Sequence, residues 1–130
     1  MTPIAATTLY IGLFALLMLV LKLNVGRVRS SKKINLGDGN DDSMQRAIRV
    51  QGNAVEDVPV VLFGLVGLGL LAAPVLLIHG LGVSFLIARI LHAIGLGGVA
   101  GAGIGRLIGT LVSLIVMIAT AAACIWYALA

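Results

Sequence analysis

The chain has 130 residues, 60% hydrophobic and 11% charged, with a mean hydropathy of +1.14 and a formal net charge of +4. Average soluble domains are about half apolar and about a quarter charged, and a domain this small leaves much of its surface wet, so a single water-soluble domain is excluded, as is disorder. Seven of the nine basic residues and all five acids lie between Lys22 and Asp57, whereas residues 58–130 carry only Arg89 and Arg106; this is a membrane pattern with one wet segment, without the basic stripe of a nucleic-acid binder.

Residues 4–21 form an uncharged run of 18, and apolar residues continue to Val25, so helix one is expected over about 4–25. A signal peptide carries its positive charges before the apolar run. Here residues 1–21 have none, and Lys22, Arg27, Arg29, Lys32 and Lys33 follow, so this run is expected to remain as a first span. Residues 26–43 are polar and rich in turn formers, with Asp41, Asp42 and Ser43 as N-cap candidates. Asp38-x-Asn40-x-Asp42 opens like a calcium loop, but its sixth position is Ser43 and its twelfth Arg49 in place of Gly and Glu.

Helix two is expected over 44–73, polar in its first half and apolar in its second. Residues 58–88 are uncharged over 31 positions, more than one span, and Pro74 is the expected break. Helix three follows over about 75–96. Residues 95–105 hold six glycines and read as a short connection. Gly97, Gly101, Gly105 and Gly109 also recur at spacing four, which is the pattern of a close helix–helix contact. Helix four is expected over 105–128, with Gly109, Ser113, Met117, Thr120 and Cys124 sharing a side with Arg106 and facing other helices. The lone Cys124 reads as a small apolar residue. The whole, residues 1–130, is read as one domain of all-α class, an integral membrane four-helix bundle.

The distribution of Lys and Arg sets the orientation. Loops 26–43 and 97–105 are expected to be cytoplasmic and both termini to face the opposite side. Arg46 and the Lys32/Lys33 pair fit topological or lipid-headgroup roles.

The unusual chemistry lies in helix two. Arg46, Arg49, Asn53, Glu56 and Val60 step by three and four and share one face, flanked by Gln51 and Asp57. Arg89 and His92 are three apart on helix three, and Arg106 opens helix four. Charged groups at or within a bilayer normally face a bundle interior or a wet cavity. An arginine-rich cavity with one carboxylate suits a small polyanion, since guanidinium pairs carboxylates bidentately and stays charged in dry surroundings. A purely structural account is open at this point: Arg49 with Glu56 or Asp57, and Arg89 with Glu56, would serve as ion pairs holding the bundle. His79 lies at the uncharged end and reads as interfacial. No HExxH, GxSxG, GxGxxG or GxxxxGK[ST] occurs, so no metal site is expected.

Arg49-Val-Gln51-Gly-Asn53-Ala-Val-Glu56-Asp-Val-Pro59 resembles the R-x-x-x-N-x-x-E-x-x-P signature of the MAPEG superfamily, membrane-associated proteins in eicosanoid and glutathione metabolism. Gly37-Asp38-Gly39, Ala88-Arg89-x-x-His92-Ala-x-Gly95 and Arg106-x-x-Gly109-Thr110 are similar to its small bacterial branch, and the resemblance covers nearly the whole chain. It implies a homotrimer in a bacterial inner membrane, with glutathione as co-substrate bound at each subunit boundary near the cytoplasmic end. It further implies a transferase or peroxidase acting on a lipophilic electrophile or lipid hydroperoxide. By position, Arg49, Asn53, Glu56 and Gln51 correspond to glutathione-binding residues, joined by Arg89 and His92. Arg106 corresponds to the arginine that stabilises the thiolate. Either Arg27 or Arg29 corresponds to the arginine at the end of helix one, with Arg29 the alternative activating group. Tyrosines of the leukotriene-forming members are replaced by His92 and Leu96, and an aromatic position by Asp57. Glutathione, with two carboxylates and one ammonium, suits several arginines and one glutamate. Lipophilic substrate and membrane lipid complete the expected partners, with no nucleic acid. Competing readings are a non-catalytic membrane protein binding a lipid or anionic metabolite, a scaffold subunit of a larger membrane complex, and a small transporter. The last is disfavoured because the polar cluster lies towards one end of the bundle and not at mid-membrane.

Overall fold

The computed structural model describes residues 1–98 and 103–130. The regular structure among them is helical: α1 Pro3–Lys32, α2 Asp42–Leu70, α3 Val75–Gly97 and α4 Ile104–Leu129. All four are long and apolar enough to cross a membrane, and they form an integral membrane four-helix bundle. α2 and α3 are central. Among the described residues α1 packs on α2 and α3, α4 packs on α3 and α2, and α1 does not touch α4. Tyr10 and Phe14 of α1, Val61, Leu65 and Leu68 of α2, and Ile78 and Phe85 of α3 fill the core. The Phe14 and Phe85 ring centroids lie 5.3 Å apart. Leu19, Leu23, Ile115 and Ile118 point outward, which lipid tails accommodate because they are as apolar as these side chains.

α1 runs seven residues beyond its expected end, so the connection to α2 begins at Lys33. Two causes are visible. Val25 joins Met44 and Ala47 in a second small core, with Val28 and Ile34 packed against it, and this fixes the extra turns on α2. Arg29 and Lys32 occupy the last turn, where the helix dipole favours cations. In the connection, Gly37 and Gly39 adopt φ of 68° and 61°, a left-handed conformation that costs a Cβ-bearing residue more.

α2 begins where Asp41 caps it, the carboxylate accepting from the Met44 N–H at 2.9 Å. Ser43 also donates to this carboxylate and Lys32 pairs with it at 2.9 Å. These partners, the Ser43 hydroxyl foremost, then Lys32 and the Met44 amide, hold the Asp41 carboxyl well below the usual carboxylate range. The far end of α2 falls at Leu70, three residues short of the expected 73. Ala72 turns left-handed, the Ala73 N–H donates to Leu68 O at 3.0 Å, and Pro74 becomes the N-cap of α3. The proline thus marks the start of the next helix, and the break itself precedes it.

α3 and α4 approach closely. A Cβ on Gly109 would stand 2.5 Å from Ala88 O, and one on Gly105 would stand 3.1 Å from Leu91 O. Gly97 makes only a loose approach to Val50, while Gly101 and residues 99–102 of the glycine-rich connection lie outside the described residues. Along α4, Gly109, Ser113 and Thr120 are buried and Met117 and Cys124 half-buried, whereas Arg106 is exposed.

Candidate functional site

The spacing that aligns Arg49, Asn53 and Glu56 puts them on one side of α2, and that side is open. Arg49 and Glu56 are exposed and Asn53 is half-buried, its Nδ2 donating to its own helix at Arg49 O, 2.8 Å. Among the described residues the ion pairs are Lys32–Asp41 and Arg89–Asp57, so neither Arg49 nor Glu56 is held by an intrachain bridge. Gln51, two positions from Arg49, lies about 200° around the helix and is half-buried. Arg49, Asp38, Gln45 and Ile48 line a depression of ≈ 260 Å³ at the start of α2.

One turn deeper, the structural pairing differs from the one expected for Arg89. Its Nη1 donates to Asp57 Oδ2 at 2.8 Å, and not to Glu56. Arg89 is 3% exposed against 33% for the Asp57 side chain. Glu56 nonetheless lies within electrostatic reach of Arg89. A one-residue step turns an α-helix by about 100°, which directs Asp57 at α3 and Glu56 outward. The Arg89 Nε is buried with no partner. His92, one turn further along α3, is also buried, with an unpartnered Nδ1, and lies within electrostatic reach of Arg89, Arg106 and Asp57.

Arg106 sits in the first turn of α4, its backbone pressed against Gly95 of α3. The glycine permits that approach, and the Arg106 side chain is left exposed beside a depression of ≈ 330 Å³ lined by Gly103, Leu107 and Thr110. Arg27 and Arg29 diverge. Arg29 Nη1 donates to Gly37 O at 2.8 Å and so turns towards the α1–α2 connection. Arg27 is exposed and donates from Nη2 to Asn24 Oδ1 at 2.9 Å on its own helix. His79 belongs to the other end of the bundle, where Tyr10 Oη lies 2.8 Å from its Nδ1.

The fold therefore gathers Glu56, Asp57, Arg89, His92 and Arg106 into one electrostatic neighbourhood and presents Arg49, Asn53 and Glu56 beside it on an open face. It separates Arg27 from Arg29. In the sequence Asp57 stands as a flanking acid and a candidate partner of Arg49, not of Arg89. The signal for its role is that, with Glu56, it is one of two acids positioned deep enough to meet Arg89. Among the described residues no three His, Cys, Asp or Glu side chains converge on a point where a metal could sit.

The family model described as the MAPEG family matches residues 7–126. Among curated proteins, the chain is similar to inner membrane protein YecN of Escherichia coli strain K12 and of E. coli O6:H1. Each is 33% identical over 89 residues, covering 68% of this chain and 68% of the relative. No solved structure matches the chain at a significant level.

Proposed function

Since the chain belongs to the MAPEG family, we propose that it is a membrane-bound glutathione-dependent transferase or peroxidase acting on lipophilic electrophiles or lipid hydroperoxides. The observation that carries the reading is the open face of α2. Among the described residues Arg49, Asn53 and Glu56 stand in line there without intrachain ion pairs, next to the Arg89, His92 and Arg106 neighbourhood. Guanidinium groups take the two carboxylates of glutathione, and Glu56 takes its ammonium. An enclosed site on that face requires a second surface, which a homotrimer supplies at each subunit boundary. Arg29, turned towards the start of α2, is the helix-one arginine of this site, with Gln51 as a further polar contact. Arg27 faces elsewhere.

The chemistry follows from the thiolate being the nucleophile. Arg106 stabilises the sulfur anion, and the thiol proton leaves to solvent. With an aryl halide, a carbon–sulfur bond forms and halide departs. With a hydroperoxide, the sulfur takes the terminal oxygen, the alcohol leaves, and a second glutathione reduces the sulfenic acid to disulfide and water. The lipophilic substrate arrives laterally from the bilayer, and no protein residue forms a covalent bond. Membership of the family and the inner-membrane description of the YecN relatives support placement in a bacterial inner membrane, with the basic end cytoplasmic. One observation favours a second reading, a non-catalytic binder of an anionic metabolite or lipid. Asp57 neutralises Arg89 and so reduces the positive charge beside the site.

The test is a glutathione titration of the detergent-purified protein, followed in the thiolate absorbance band, with a chlorodinitrobenzene assay on the same sample. Binding with turnover is expected, and both are lost in the Arg49→Ala, Glu56→Ala double variant. Absence of binding removes the reading. Binding without turnover of either an aryl halide or a hydroperoxide moves it to the second one.

A further inference from the structure

A groove of ≈ 310 Å³ runs between α1 and α3, with Val50 of α2 in its lining, over the half of the bundle nearest the basic end. Leu17, Val20 and Asn24 form one wall and Ile90, Ala93 and Ile94 the other. Leu17, Val20, Asn24 and Arg27 recur at spacings of three, four and three, so they form a single stripe on α1. The stripe is apolar for its first half and polar at its end. Leu17 to Asn24 spans about 10 Å of helix, and Arg27 stands one turn beyond, level with the extension of α1 past its apolar run. The arginine is not paired with any carboxylate among the described residues. Its one side-chain hydrogen bond among the described residues, to Asn24 Oδ1 at 2.9 Å, ties the guanidinium to a residue that lines the groove. On the α3 side, the wall ends in Gly97, whose missing side chain leaves space at the same level.

An apolar groove that ends at Asn24, the residue bonded to a guanidinium unpaired among the described residues, has the shape and charge order of one anionic phospholipid. We propose that this α1–α3 groove binds an anionic glycerophospholipid, one acyl chain lying against Leu17, Val20, Ile90 and Ile94 and the phosphate on Arg27. Phosphate accepts two parallel hydrogen bonds from guanidinium. The basic residues around the α1 extension raise the local concentration of anionic lipid, and the groove converts that diffuse attraction into a defined site. The site does not depend on the glutathione reading, because it uses a different face of α1 from Arg29.

The experiment is native mass spectrometry of the full-length protein released from a mild detergent. Either palmitoyl-oleoyl phosphatidylglycerol or phosphatidylcholine with the same chains is added. Phosphatidylglycerol adducts are expected at concentrations about tenfold lower than phosphatidylcholine adducts. Arg27→Ala abolishes that preference, Ala93→Phe weakens both lipids by filling the groove, and Lys33→Ala, an equal loss of charge outside it, changes neither. Glycerol phosphate, the headgroup chemistry without chains, does not compete. The proposal is overturned if the two lipids bind equally, if Lys33→Ala costs as much as Arg27→Ala, or if glycerol phosphate displaces the lipid. It is also overturned if Ala93→Phe lowers the number of chains per particle without affecting lipid, since the groove is then covered by a second copy. Arg27 is exposed and its side-chain hydrogen bond stays within α1, so its variant keeps the test informative even if Ala93→Phe fails to fold.

Discussion

Arg89 reaches across the α2–α3 interface to Asp57 at 2.8 Å, and the cation is far more buried than its anion, 3% exposed against 33%. The pair therefore has a sealed side and an open side. Removing Asp57 would leave a guanidinium in the membrane interior with its Nε already unpartnered, the costly outcome for a buried pair. Asp57→Ala is expected to destabilise the protein towards the low end of the about 3–5 kcal/mol range for breaking such pairs, because a third of Asp57 is open. The Asp57→Leu, Arg89→Met double variant recovers most of the loss. Unfolding in mixed micelles with increasing SDS measures both, and equal stability of the single variant and the wild type would show that the bridge contributes nothing.

The α3–α4 contact gives a second expectation. A Cβ at Gly109 meets Ala88 O at 2.5 Å and the His92 backbone N at 2.6 Å, both fixed by their helix. Rigid neighbours cannot yield as a flexible side chain can, so Gly109→Ala forces the helices apart at a cost of about 1–3 kcal/mol. Gly80 has nothing within 4 Å of its would-be Cβ, and Gly80→Ala is neutral or stabilising through helix propensity. The order of apparent melting temperatures in one detergent, Gly80→Ala at or above wild type and Gly109→Ala below, checks the contact.

How far the sequence could be read depends on whether an element is determined by its own residues. The four spans follow from apolar runs, and the shared face of Arg49, Asn53 and Glu56 on α2 follows from their spacing, both local properties, whereas the openness of that face does not. The extension of α1 does not, because residues 26–32 contain no apolar run. Those turns are held by Val25 and Val28 meeting Met44 and Ala47 some twenty residues away. The sequence points Arg89 at Glu56, and the structure pairs it with the adjacent Asp57, for the same reason. Glu56 and Asp57 differ by about 100° around the helix, and only the rotation of α2 against α3 selects one. Arg27 and Arg29 were equivalent candidates in sequence, and the hydrogen bonds to Asn24 and to Gly37 separate them.

Asp41 links the α1 extension to the start of α2, since it caps α2 and pairs with Lys32. Its folded-state carboxyl lies below the ordinary value because Ser43, Lys32 and the Met44 amide favour the charged form. The sign follows: the unfolded chain takes up this proton first, so the stabilisation is complete above about pH 4, the ordinary carboxylate value, and is lost as pH falls through the folded value. Asp41→Asn keeps a capping oxygen and removes the charge. It is expected to melt below wild type at neutral pH, with the gap closing in acid. A gap independent of pH would assign the effect to the hydrogen bonds alone.

The proposed glutathione chemistry assigns Arg106 to the sulfur and the Arg49, Asn53 and Glu56 row to the charged ends of the tripeptide. It is exposed at the head of α4, with its backbone seated on Gly95. A guanidinium that stabilises the thiolate lowers the apparent thiol pKa, and one that only binds a carboxylate does not. With Arg106→Ala the pH–rate profile for an aryl halide should therefore move upward towards about 8.5, the value of an unperturbed thiol. At neutral pH kcat falls by roughly tenfold for each unit of that displacement, and activity returns in alkaline buffer while KM for glutathione changes little. Arg106→Lys keeps a cation and retains part of the shift. If Arg106→Ala raises KM and leaves the profile where it was, the residue is a carboxylate contact. Arg29, held to Gly37 O at the same end of the bundle, then becomes the activating group to vary next.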